Sequence, residues 1–324
     1  MDQKEIVDLL EKNYKLISMS NAKWLDKRVK YLLARIFTGS GQLLQVEDFD
    51  WLDTALLHKS GIFSSLTRIT RHTMTGLMLA NQKNSVEGIE ELFFNKKILK
   101  DNGFKSSSST YFAAYQLFLS DSHRREDIAK RAQGIYQGIK SSHPIITTTT
   151  DYSSMISLAQ SAQLDELTEL EICQLVDYYF ECLQELGLKN KNSCLVSATL
   201  ITLMTGKIEQ EFLTKLSEVM LYLEGNNLKV KTVHFVPLIS LTYLLKETEE
   251  SNLDELLLFI QQITKQISLL FESDYKEALA ISLYVENKSK RLTTGNLSAL
   301  SVSLNQIIVQ EHAMLATNAV VLLS

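Results

Sequence analysis

The stretch LTRITRHTMTG, residues 66–76, holds the densest set of side chains able to do chemistry in this sequence. On a helix Arg68 and His72 lie one turn apart on one face, as do Arg71 and Thr75. Arginine offers a planar fork suited to a carboxylate or a phosphate. The functional expectation is an anion or acidic-peptide site. The plainer one is a solvated helix face pairing with nearby acids. Tyr111 and Tyr115, in STYFAAYQLFLS, could line a groove with their polar tips or sit in a core with bonded hydroxyls.

Beyond these residues the chemical signals are weak. GxxxxGK[ST], HExxH, GxSxG and DxDxDG are all absent, and TGSGQ (38–42) lacks a following lysine and a preceding strand. His312 follows Glu311 with no second histidine one turn away, which reads as a surface or capping residue. Cys173, Cys182 and Cys194 have no CxxC spacing and read as buried thiols rather than ligands or disulfides. The basic run SDSHRREDIAKRAQG (120–134) is interrupted by Glu126 and Asp127 and reads as an ordinary exposed helix. The net charge of −5 argues against the long basic stripe of a nucleic-acid binder, and a nucleic-acid partner is not expected. Catalytic residues, metal ligands and cofactors are therefore not expected.

Such residues need elements to hold them, and the composition says which. The chain has 324 residues with 45% hydrophobic content, ample for a core. It has 2 prolines and 12 glycines, which favours helices joined by short turns. Residues 1–150 are net basic and residues 151–324 net acidic, which reads as ordinary surface variation, as an anion- or acid-binding surface in the N-terminal half, or as head-to-tail charge pairing between protomers. The N-terminus, MDQKEIVDLLEKNYKL, is amphipathic and unlike a secretory signal, and no apolar run approaches a membrane span. A cytoplasmic protein with no membrane partner is expected.

A repeat organises the chain. Ile62, Phe104, Ile145, Leu188 and Leu228 each follow a turn residue (Gly61, Gly103, Pro144, Gly187, Asn227), at spacings of 42, 41, 43 and 40. Glycine or asparagine just past a helix supplies the left-handed residue that ends it, and proline ends one by being unable to continue it. Before the turns, apolar residues keep one helical face: Ile128, Ala132, Ile135, Tyr136 and Ile139; Ile172, Val176, Tyr179, Phe180 and Leu183; Phe212, Leu216, Val219, Met220 and Leu223. Leu256, Ile260, Ile263 and Ile267 follow the same phase. The first copy, with Val86, Ile89, Phe93 and Ile98, keeps it poorly. After each turn comes a second helix, apolar all round and so buried between neighbours. Pro237 falls near the start of one of these and predicts a late start or a kink. Helix pairs are predicted near 85–119, 124–160, 168–204 and 209–246. The Ser106–Ser109 and Thr147–Thr150 runs predict caps, and Ser251 or Asn252 a further one.

The expected fold is therefore all-α: an α-solenoid of about five helix-pair repeats of roughly 42 residues, with helical caps. The expected division is an N-terminal cap (1–58), a repeat region (59–272) and a C-terminal cap (273–324).

GIFSSLTRITRHTMTGLML together with GFKSSSSTYFAAYQLFL resembles a family from low-GC Gram-positive bacteria known as a domain of unknown function. The resemblance covers most of the chain and implies a cytosolic, bacterial helical protein; it brings no catalytic residues with it. The functional expectation is a non-enzymatic repeat protein that binds a protein or peptide partner on its solenoid surface. The alternative is an enzyme or small-molecule receptor with a pocket lined by Arg68, Arg71 and His72, with Tyr111 and Tyr115 as further ligand-binding candidates.

Overall fold

The computed structural model describes residues 1–61, 64–248, 252–267, 272–290 and Ile308. Among these the protein is all-α, with fourteen helices that follow one another in pairs. The pairs are α1 (Gln3–Ile17) and α2 (Lys27–Ser40), α3 (Val46–Ser60) and α4 (Arg68–Ala80), and α5 (Val86–Asp101) and α6 (Ser109–Phe118). Then come α7 (Arg125–Ser142) and α8 (Tyr152–Gln160), and α9 (Glu169–Glu185) and α10 (Lys191–Thr205). The last are α11 (Gln210–Gly225) and α12 (Phe235–Glu247), and α13 (Leu253–Gln266) and α14 (Ser273–Ser289). No described helix is long and apolar enough to cross a membrane.

The described residues divide into two compact units, Met1–Glu126 with Ile308, and those from Asp127 to Lys290. In the first unit α1 packs on α2, α3 on α4 and α5 on α6, while α2, α4 and α6 touch in series. In the second, α9 packs on α10, α11 on α12 and α13 on α14, while α8, α10, α12 and α14 touch in series. Within the expected cap of 1–58, α1 and α2 pack on each other, and α3 packs on α4 of the expected repeat region.

The second helix of each pair is buried around its whole circumference. Thr110 to Phe118 of α6, Tyr152 to Ala159 of α8 and Cys194 to Met204 of α10 are unbroken buried runs. Several of their hydroxyls offset burial by bonding the carbonyl one turn back, as Thr75 does to Arg71, Ser157 to Ser153, Thr199 to Leu195 and Thr242 to Leu238. The first helices bury one stripe, and the residues predicted for α7, α9 and α13 are all on it. In α11 the stripe is Phe212, Leu216, Val219 and Leu223, with Met220 half-buried. Pro237 lies in the first turn of α12, where the missing N–H is not needed, so the helix begins normally after a 3-10 turn at Thr232–His234.

The repeated turns share one geometry. Gly103, Gly187 and Asn227 have φ of +90°, +96° and +66°. After each, the next N–H returns to a carbonyl five residues back: Phe104 to Leu99 at 3.1 Å, Leu188 to Leu183 at 3.0 Å and Leu228 to Leu223 at 3.0 Å. That bond draws Phe104, Leu188 and Leu228 into the core. Ile145 departs from the expectation, being 91% exposed. Pro144 supplies no left-handed residue, so the chain does not fold back, and Thr147 rather than Ile145 is buried. Ile62, Ser251 and His312 lie outside the described residues, as does most of the expected C-terminal cap.

Candidate functional site

In the first unit α3 and α4 bring three ionisable side chains together. Asp53 lies on the buried stripe of α3 between Phe49 and Leu56 and is itself buried. Arg71 grips it with two prongs, Nε to Oδ1 at 2.7 Å and Nη2 to Oδ2 at 3.3 Å. His72 Nδ1 lies 2.9 Å from the same Oδ1, off the line of a good hydrogen bond, and its ring stacks on Phe49. His72 is fully buried, and its Nε2 has no hydrogen-bond partner. Burial acts to raise the Asp53 pKa, but the contacts and charges of His72 and Arg71 outweigh it and hold the carboxyl below its usual range. The cluster is closed on itself: the fork that could hold an external carboxylate already holds an internal one.

The two tyrosine candidates pin α6 to its neighbours. The Tyr111 hydroxyl lies 2.8 Å from Ser64 Oγ and accepts from Lys96 Nζ at 2.8 Å, while Phe93 packs edge-on to the ring. Tyr115 donates to the Leu77 carbonyl at 3.1 Å and accepts from Asn81 at 2.7 Å, and burial pushes its pKa well up. Both rings are buried. Arg68 stands apart, exposed at the first turn of α4.

The basic run at 120–134 is used internally. Arg125 ion-pairs with Glu91 and bonds Asn95 Oδ1 at 3.3 Å. Arg131 bonds the carbonyls of Ala159, Leu164 and Leu167 and so ties down the loop after α8.

The second unit holds a cluster built around His234. Its Nδ1 accepts the Lys231 N–H at 3.1 Å, which leaves the proton on Nε2. Nε2 faces the Asp274 carbonyl at 3.0 Å and Glu277 Oε2 at 3.3 Å. The bond from His234 holds the Glu277 carboxyl below its usual range, against the opposing effect of burial. Glu277 also lines a cleft of about 260 Å³ between the end of α11, α13 and the start of α14. Leu228, Leu257 and Ile260 form its apolar floor, and Asn226 and Gln261 stand beside them.

The family match takes in both clusters. The model of the family described as a protein of unknown function (DUF4003) matches residues 13–321. The chain belongs to this family. No curated protein and no solved structure matches it. The DUF4003 description carries no activity. The structure brings Arg71 and His72 together on Asp53 and leaves Arg68, Tyr111 and Tyr115 outside that contact. Asp53, His234 and Glu277 escaped the sequence reading. Asp53 and His72 shared a detectable signal, a polar residue on an otherwise buried face; His234 and Glu277 are separated by the whole of α12 and α13, so their contact cannot be seen in spacing.

Three thiols complete the inventory. All are free, and burial pushes Cys173 to about 11 and Cys194 to about 12, which leaves them protonated and unreactive at neutral pH.

Proposed function

We propose that this protein is a non-enzymatic helical-repeat protein, an α-solenoid of about five helix pairs, that binds a protein or peptide segment. The observation that carries the reading is the cleft beside α13. Its apolar floor of Leu228, Leu257 and Ile260 suits one inserted apolar side chain. The Gln261 carboxamide beside it can both donate to and accept from a peptide backbone. Lys265 and Glu277 offer opposite charges at its margin. Stacked helix pairs offer continuous surfaces for such partners. The resemblance adds a cytoplasmic, bacterial setting to the reading. A catalytic pocket lined by Arg68, Arg71 and His72 has less support, because two of the three are engaged with Asp53 and the third faces solvent.

The test compares partner capture by the wild type and by Leu257→Arg, with both baits verified as folded by circular dichroism. A protein retained by the wild type and released by the variant is expected. Capture that is absent, or indifferent to Leu257, would reject the reading.

A further inference from the structure

The loop between α1 and α2 presents two large apolar side chains to solvent, Met19 at 71% and Trp24 at 76% exposure. Their exposure is built in. Ser20 Oγ donates to the Ile17 carbonyl at 2.9 Å and accepts the Ala22 N–H at 3.1 Å, so Ser20 and Ala22 turn inward. The Asn21 N–H is held by Asp50 at 2.6 Å. Tyr14 stacks on Tyr31 with centroids 4.2 Å apart, fixing α1 against α2. Met19 and Trp24 therefore project from an ordered end of a helical hairpin, on a loop rather than in a groove.

The surround is basic. Lys15 ends α1, Lys23 precedes α2, and Lys27 and Lys30 lie on its first turn. Among the described residues none of these lysines has an ion-pair partner, although the chain as a whole has a net charge of −5. Of the nearby acids Asp26 is paired with Arg28, while Glu11 accepts from the Tyr31 hydroxyl and Asp50 from the Asn21 N–H; these last two keep their charge and are outnumbered by the four lysines.

We propose that this hairpin end docks on an anionic lipid surface, with Trp24 and Met19 entering the headgroup region and the lysines facing lipid phosphates and carboxylates. Tryptophan favours the membrane–water interface, where its ring is apolar and its N–H stays wet. Lysines beside it gain from the negative surface potential of such a leaflet. Lysine is depleted in the cores of protein–protein interfaces, which sets lipid ahead of an acidic protein as the occupant. The contact is peripheral and needs no membrane-spanning helix. It departs from the expectation of no membrane partner, and it is independent of the cleft beside α13.

The chain's two tryptophans, Trp24 and Trp51, make the test direct. Tryptophan emission is followed as the full chain is titrated with phosphatidylcholine vesicles, with and without phosphatidylserine. A blue shift with the serine lipid is expected, lost on adding salt and kept in Trp51→Phe, and vesicle co-sedimentation, which needs no tryptophan signal, should fall sharply in Trp24→Ala. The double variant Lys23→Gln/Lys27→Gln should weaken binding roughly tenfold or more. No shift at low ionic strength, an unchanged affinity in Trp24→Ala, or an equal shift with soluble polyglutamate in place of vesicles would each overturn the proposal. The polyglutamate result would assign the surface to an acidic protein instead.

Discussion

Gly138 of α7 faces Cys173 of α9 so closely that a Cβ on the glycine would stand 2.6 Å from the cysteine Sγ. The contact is one rung of a ladder. One turn earlier Gly134 meets Glu169, and one turn later Ser142 and His143 both bond the Asp177 carboxylate. Both helices thus contribute residues at i, i+4 and i+8, and small residues on α7 let the two approach. Gly138→Ala is expected to destabilise the protein by about 1–3 kcal/mol, because the Sγ sits on a short, buried side chain with little room to move. Gly134→Ala should cost less, since the Glu169 side chain can swing toward solvent. Denaturant unfolding of the two variants checks the order; equal effects would mean that the rung at Cys173 is not tight.

Asp53 is the linchpin of the first unit's polar cluster. Asp53→Asn leaves the Arg71 guanidinium, whose side chain is only 12% exposed, without its counter-ion. A loss on the order of 3 kcal/mol is expected from breaking such a buried pair. The pH dependence has a definite sign. The folded carboxyl titrates below the ordinary aspartate value of 3.8, so its contribution is fully present above that value and lost as pH falls through the lower folded value. Wild-type unfolding free energy should therefore decline more steeply below about pH 4 than that of Asp53→Asn. Parallel slopes would sink the assignment.

Asp151 behaves in the opposite sense in the second unit. It accepts the Thr148 N–H at 2.7 Å and closes a capping box before α8, but burial raises its pKa from 3.8 to about 6. A carboxyl raised this far costs the folded state about 3 kcal/mol once it is charged. The cost is present above the folded value and relieved as pH falls toward 3.8. Asp151→Asn keeps an oxygen for the Thr148 N–H and removes the charge. It is expected to be more stable than wild type at pH 8 and to lose that advantage near pH 4. Thermal melts across this range decide it, and a variant no more stable than wild type at pH 8 would reject the claim.

These cases show why some of the architecture was legible in the sequence and the site was not. The pairs at 86–118, 125–160, 169–205 and 210–247 stand within a residue or two of expectation, because a buried stripe repeating every turn and a left-handed stop are local signals. The α5 stripe was blurred because a polar residue, Asn95, occupies its centre, bonding the Ala114 carbonyl and Arg125. Ile145 misled because an apolar residue after proline looks like one after glycine, while only the latter turns inward. Arg71 and His72 were visible as types, but their partner Asp53 lies on another helix, across a turn whose closure no spacing encodes.

The left-handed turns give the sharpest test of the repeat. Gly187 has φ +96° and no atom within 4 Å of where a Cβ would stand. Substitution there meets only backbone strain, so Gly187→Ala should cost about 1–2 kcal/mol. Asn227 fills the equivalent place at φ +66°, tolerable for asparagine but better suited to glycine. Asn227→Gly should be neutral or stabilising by a few tenths of a kcal/mol, while Asn227→Val should lose about 1–2 kcal/mol. The opposed signs at one repeat position separate backbone conformation from side-chain contact, since a lost contact would make Asn227→Gly destabilising. Chemical denaturation of the three variants reads this directly, and a destabilised Asn227→Gly would remove the shared-turn account of residues 187 and 227.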